Sequence, residues 1–489
     1  MNTQVAVGPK MARRALVLLV GRVTAIALSM VAAVLIPRQL GPRGMGFYSY
    51  LYSSVFTMVC VLDAGCSMLL RRYVPESLAH NRGQVRPLFF ASLRAKLIVF
   101  AVFASATLVV RDPMMFGLAL IAAGCSSLVE SVQTLLYAGG SLVRYSLVGS
   151  VLTAFRILLL VLLAPSLQRL GISLALVASA GLTIVIFARS AMRLLPPSRE
   201  PLSQSYWRFV RFSMISYGAD LAFVLSNRIA LIIGRHAMGD MAELGYLGLA
   251  FMVFLLARQL AFFIGETSIP SLVHYHAIGD AGQFSRTMRH VWRYTNIVVL
   301  GAAMLVLCYA GPLVTVVVGG AFLKTAVLIK LLVPAFVATT LTLCVRIALF
   351  AREKSLRLLV SHGGALLAFT AIMAGIWFSG KSITSESIAV VFSISCVLGF
   401  ALMAFRSGTR VPPGELMLSV LKPLVAAAVV WQGLHALDLQ GHMLLLSAPL
   451  ALAAYMAVLL AVRGLEVRDW HRVLELTGRR TSENGDQTI

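Results

Sequence analysis

Residues 36–48 read Ile36-Pro37-Arg38-Gln39-Leu40-Gly41-Pro42-Arg43-Gly44-Met45-Gly46-Phe47-Tyr48. Glycine and proline interrupt helices and mark turns. On either side the chain is apolar for about 20 residues, the length a helix needs to cross roughly 30 Å of hydrocarbon. The stretch is therefore the corner of a membrane hairpin, with helices predicted over 15–37 and 47–70. The corner recurs 197 to 199 residues later as Ile233-Gly234-Arg235, then Met238-Gly239, then Gly245-Tyr246. Six helices separate the two copies. Because six is even, both copies point the same way, and a pseudo-twofold axis along the membrane normal is expected, as in parallel-repeat transporters.

Working outward, apolar runs predict further spans over 88–110, 114–137, 144–164, 171–192, 209–233, 246–270, 294–318, 324–350, 358–378, 387–405, 419–437 and 443–462. The fold class is all-α integral membrane, with about 14 transmembrane helices. The expected organisation is an N-terminal lobe over 1–197 (helices 1–6), a C-terminal lobe over 198–410 (helices 7–12), a helix pair over 411–462 (helices 13 and 14) and a cytoplasmic tail over 463–489. Pro196, Pro197 and Pro201, among arginines, mark the joint between the lobes. Composition agrees: the 489 residues are 59% hydrophobic and 12% charged, against about 25% charged in soluble proteins. The short connections leave no room for a folded soluble domain, which argues against an enzyme with its site in one.

The net charge of +23 would suggest nucleic acid in a soluble chain. Here the basic residues sit in alternate loops, about 27 on one side against about 7 on the other, as the positive-inside rule describes. That pattern excludes nucleic acid as the expected partner and predicts both termini in the cytoplasm. The six cysteines lie in apolar runs with no CxxC pair, which predicts neither a disulfide framework nor a metal site.

Ten charged residues are expected within spans: Arg22, Arg156, Arg228, Arg258, Lys330 and Arg346, with Asp63, Glu130, Asp220 and Glu266. Each costs about 2.5–3.5 kcal/mol at a helix centre, so most must face a bundle interior or a watery cavity. Lys330 and Arg346 lie near helix ends, where snorkelling to the headgroups is expected. Asp220 and Arg228 share one helix face but stand about two turns apart, too far for direct contact. Arg22, Arg228 and Arg258, with Arg156, suggest a cation-rich interior for an anionic, phosphorylated solute, because guanidinium presents a fork of donors suited to phosphate. Asp220, Glu130 and Asp63 are candidate proton or sodium sites for coupling. The histidines, among them His274 and His276 in a His-Tyr-His stretch, form no catalytic constellation, and no cofactor or metal site is expected.

The first hairpin resembles the polysaccharide-transporter branch of the multidrug/oligosaccharidyl-lipid/polysaccharide flippase superfamily, the O-antigen flippases. Arg38-Gln39-Leu40-Gly41-Pro42 and Gly44-Met45-Gly46-Phe47-Tyr48 are similar to the family's R-x-L-G-x-x-x-x-G-x-Y junction. Asp63-Ala64-Gly65 followed by Arg71-Arg72-Tyr73-Val74-Pro75-Glu76 is similar to its D-x-G … R-Y-x-P-E stretch, and Asn227-Arg228 with Gly245-Tyr246 echo it in the second half. The resemblance implies two six-helix lobes around a cationic cavity and alternating access. It implies an undecaprenyl-diphosphate-linked oligosaccharide as substrate, moved from the cytoplasmic to the periplasmic leaflet of a bacterial inner membrane for surface polysaccharide biosynthesis. Membrane lipid and the polysaccharide polymerase and assembly proteins would be the partners. The extra helix pair resembles that of lipid II flippases, whose last two helices form a groove for the lipid tail. Ala230 stands where the family often has Asp, which leaves the coupling mechanism open. Two alternatives stay open: a cation-coupled multidrug exporter of the same superfamily, and a membrane-embedded glycosyltransferase or ligase.

Overall fold

The computed structural model describes residues 9–80, 82–106, 113–197, 206–266, 278–352, 355–406, 413–437 and 446–462, with isolated positions between 267 and 277. Arg22 and Glu266 lie on described helices, but their side chains are outside the described set, as are His274 and the tail over 463–489.

The described chain is helical throughout. Helices α1 (9–40) and α2 (42–63) meet at Gly41, whose φ of 65° is left-handed and open to glycine. Pro42 then opens α2 at the position where a missing N–H costs nothing. The remaining helices are α3 (Cys66–His80), α4 (Val85–Ala106), α5 (Pro113–Ala138), α6 (142–167), α7 (169–192), α8 (Tyr206–Ala237), α9 (Met241–Glu266), α10 (Ala281–Val317), α11 (Leu323–Leu331), α12 (Val333–Ala351), α13 (Ser355–Phe378), α14 (Ser385–Arg406), α15 (Pro413–Ala436) and α16 (Ala448–Ala461). Ten helices in the described part are long and apolar enough to span a membrane, or eleven if α11 and α12 count as one bent span. Counting that bent span, splitting the first and fourth of the ten at their kinks (Gly41 and Gln168) and adding α16 recovers each of the fourteen expected spans.

Two spans expected to be continuous are broken. The span over 47–70 stops at Asp63, turns through Ala64 and Gly65 at positive φ, and resumes as α3. Asp63 caps the new helix by accepting from the Ser67 N–H at 3.2 Å and from its hydroxyl at 2.6 Å. The span over 324–350 bends by 48° at Leu332.

The two corners that opened the sequence analysis face each other. A Cβ placed on Gly46 would overlap the carbonyl oxygen of Met241, and one placed on Gly245 would overlap that of Pro42. Gly248 would likewise overlap the Ser49 hydroxyl. Residues 42, 46 and 49 are the repeat partners of 241, 245 and 248 at the 199-residue offset, so the contact is reciprocal: position i meets j′ as j meets i′, the signature of a twofold relation. Lipid offers helices no hydrophobic gain on association, so backbones approach through small residues instead. This α2–α9 crossing joins the two halves of the chain at the face carrying residues 38–43 and 235–241. Arg38 adds a bond from α1 to the Val316 carbonyl at the end of α10, 2.9 Å away. On the same face Lys324 bridges Glu243 (2.7 Å) and Glu386 (3.1 Å), joining the starts of α9, α11 and α14.

Helices α15 and α16 pack on α10. The Tyr455 hydroxyl donates to the Ile297 carbonyl at 2.8 Å, and Gly301 leaves room for the Tyr455 ring. The other flank of α16 exposes Leu450, Leu452 and Leu460, as a lipid-facing surface would.

Candidate functional site

The glycine crossing lines one end of a cavity of about 640 Å³ between the two halves of the chain. Its wall runs from Met45, Ser49 and Gly248 at the crossing to Arg71, Tyr217 and Gln259 toward the face bearing the basic loops. Helices α1, α2, α3, α5, α6, α7, α8, α9 and α12 contribute, so residues from both halves of the chain build the site.

Seven charged residues line it: Arg71, Arg156, Arg228, Arg346, Asp63, Glu130 and Asp220. Their pairing decides the field. Arg346 binds Asp220 at 2.8 Å across α12 and α8. Arg346 thus corrects the snorkelling expectation: a carboxylate and the Phe223 ring, 5.0 Å from its guanidinium, hold it in the interior. Lys96 of α4 binds Asp63 at 2.7 Å. With these neutralised, Arg71, Arg156 and Arg228 face Glu130, and the cavity keeps an excess of positive charge.

Arg156 and Arg228 lie on the same aromatic cluster. Their guanidinium carbons stand 4.9 and 5.2 Å from the centre of the Tyr52 ring, and Arg228 also covers Phe56 at 4.8 Å. Neither forms an ion pair among the described residues, and the buried Nε of Arg156 has no hydrogen-bond partner. A flat guanidinium stacked on a ring keeps its planar fork of donors in the plane where a planar or tetrahedral oxyanion can meet it. The ring faces hold both cations, and Arg156 also hydrogen-bonds the Tyr48 and Tyr52 hydroxyls, so its Nε is the donor left without a partner.

Arg258 is placed elsewhere. It donates to the Asn227 Oδ1 at 2.7 Å and lies between Phe223 and Phe254, at 4.8 and 6.0 Å. Leu255 and Gln259, four apart on α9, line the cavity, and Arg258 is not among its lining residues. One residue is 100° of helix, which turns Arg258 toward α8. Its partner Asn227 lines a small pocket together with Ser361 and His362, where the His362 Nε2 is buried without a hydrogen-bond partner. Lys330 ends α11, exposed.

Lys96 was missed. It falls inside the span over 88–110 and is 4% exposed, yet it is absent from the ten costly charges named above. The available signal was Asp63 on the adjacent hairpin, the only carboxylate in the first two spans. Among the described residues, no group of three or more His, Cys, Asp or Glu could hold a metal ion.

No protein-family model matches the chain, and no curated protein matches it in sequence. Solved structures do. The lipid II flippase MurJ in an inward closed conformation superimposes with a TM-score of 0.70 at 10% identity, over 95% of this chain and 100% of that one. A MATE-family multidrug resistance transporter of the MOP superfamily, inward-facing, gives 0.61 at 13% identity over 78% and 94%. A MATE transporter in complex with MaL6 gives 0.56 at 13% over 82% and 95%. The chain is a multi-span membrane protein with the fold that the MurJ flippase and the MATE transporters share.

Proposed function

We propose that the protein is a flippase that moves an undecaprenyl-diphosphate-linked oligosaccharide from the cytoplasmic to the periplasmic leaflet by alternating access, for surface polysaccharide biosynthesis. The observation that carries this reading is the pair Arg156 and Arg228, charged, stacked on Tyr52, without carboxylate partners, inside a 640 Å³ cavity. That volume is in the range of small-molecule sites. It suits a diphosphate with its first sugars, while the polyprenyl tail stays in lipid beside α15 and α16. By the positive-inside rule the end of the cavity at Arg71 and Gln259 is read as cytoplasmic and the glycine crossing as the periplasmic closure, and substrate loads from the cytoplasmic end in this reading.

In this reading Arg156 and Arg228 grip the diphosphate, with Arg22 a further contact. Glu130 is the coupling carboxylate. Arg258 supports the second lobe through Asn227. The MATE likeness favours a second reading, cation-coupled drug export, but the excess of positive charge would repel a cationic drug.

The test is deletion of the gene followed by analysis of surface polysaccharide and lipid-linked repeat units. Loss of polysaccharide, inner-leaflet accumulation of repeat units, and failed rescue by normally expressed Arg156→Ala and Arg228→Ala support flipping. Intact polysaccharide in a strain with no redundant transporter, together with new sensitivity to lipophilic cations, establishes the exporter instead.

A further inference from the structure

The buried ammonium of Lys96 has a use that the cavity chemistry does not require. Its Nζ contacts the Asp63 Oδ1 at 2.7 Å, the Ser131 hydroxyl at 2.8 Å and the Ser127 backbone carbonyl at 3.2 Å. An ammonium has three N–H donors and no acceptor, and here three oxygens meet them. A carboxylate at the end of a broken helix, with a hydroxyl and a main-chain carbonyl from the unbroken α5, forms a cage of oxygens of the kind that holds a small cation. The break at Ala64 and Gly65 supplies the discontinuity. Asp63 is held in place by Ser67, and Ser131 is oriented by its own bond to the Ser127 carbonyl at 3.0 Å. The cage is built, rigid and full.

We propose that Lys96 is a tethered cation occupying the acidic site of the first lobe where a transported metal cation would otherwise bind. The lobe therefore works without sodium, and Asp63 is not an exchangeable ion site. Its charge is permanently matched by an ammonium on a flexible four-carbon stem that cannot leave. The other charged groups around the site are Glu130 on α5, which acts electrostatically on both Asp63 and Lys96, and Arg71 on α3. Glu130 lines the cavity beside this site, hydrogen-bonds Ser67 and has no ion pair among the described residues, which makes it the carboxylate of the cluster available to exchange an ion or proton with the cavity. The inference concerns the first lobe alone and holds whichever solute the cavity carries.

The experiment is the melting temperature of the purified full chain in detergent, in sodium chloride against choline chloride at equal ionic strength. Wild type is expected to melt at the same temperature in both. Lys96→Ala is expected to melt lower in choline and to recover by about 2 °C or more as sodium rises, saturably, because an ion that binds only the folded state stabilises it. Lys96→Ala with Asp63→Asn should lose that response. A saturable sodium response in wild type, abolished by Asp63→Asn, overturns the proposal, as does a sodium-insensitive Lys96→Ala. If the variants do not fold, hydrogen exchange on wild type decides. Sodium-independent exchange over residues 60–70 and 127–131 supports a filled cage, and sodium-induced protection there refutes it.

Discussion

Replacing Gly245 with alanine tests the glycine crossing directly. The new Cβ would overlap the Pro42 carbonyl oxygen and come within 2.8 Å of its carbon and 3.0 Å of the Gly46 nitrogen. All three are backbone atoms and cannot rotate away. The helices must part by roughly 1.4 Å before the carbon–oxygen distance reaches the ~3.3 Å of close Cα–H···O contacts. Overpacking of this kind costs about 1–3 kcal/mol. If the crossing is the periplasmic closure, the cost falls on the closed state and shifts the population toward outward opening by about 5- to 150-fold. The native Cys60 lines the cavity, so the assay needs no introduced label. A membrane-impermeant thiol reagent is applied from the periplasmic side, and modification of Cys60 is read by peptide mass spectrometry. Wild type should be protected and Gly245→Ala reactive. Gly239→Ala serves as control, since nothing lies within 4 Å of a Cβ there and its φ is not left-handed. Equal protection of Cys60 in wild type and Gly245→Ala, with both proteins folded, would refute the reasoning.

Arg228→Ala should reduce lipid-linked substrate transport at least about tenfold, while Arg228→Lys restores only part of it, since a lysine offers no planar fork; reconstituted vesicles give the comparison. Arg258→Ala should act chiefly on stability, by about 1–3 kcal/mol for the stranded Asn227, read as a lower melting temperature with transport largely kept. Asp220→Asn and Arg346→Ala should be non-additive, with a coupling of about 0.5–3 kcal/mol in a double-mutant cycle; additive effects on melting would mean the 2.8 Å pair contributes nothing.

The membrane fold was legible in the amino-acid sequence because its signals are local. About 20 apolar residues in a row predict a span wherever they occur, and Leu40-Gly41-Pro42 predicts a corner because left-handed φ and a missing N–H are properties of those residues. Even the repeat could be read, since equivalent corners carry equivalent glycines. What the corners do became visible only in three dimensions, where Gly46 and Gly245 meet each other. The charges divide the same way. The cost of placing Arg228 or Asp220 in lipid follows from residue type and position. Which charges cancel does not: Asp63 with Lys96, and Asp220 with Arg346, lie on different helices, 33 and 126 residues apart. A 100° step along α9 separates Gln259 in the cavity from Arg258 outside it, and no periodicity in so apolar a helix marks which face is interior. Hydropathy depends on the neighbours along the chain, and the sequence determines it alone. The net field of a cavity depends on pairings across helices, which only the tertiary structure decides.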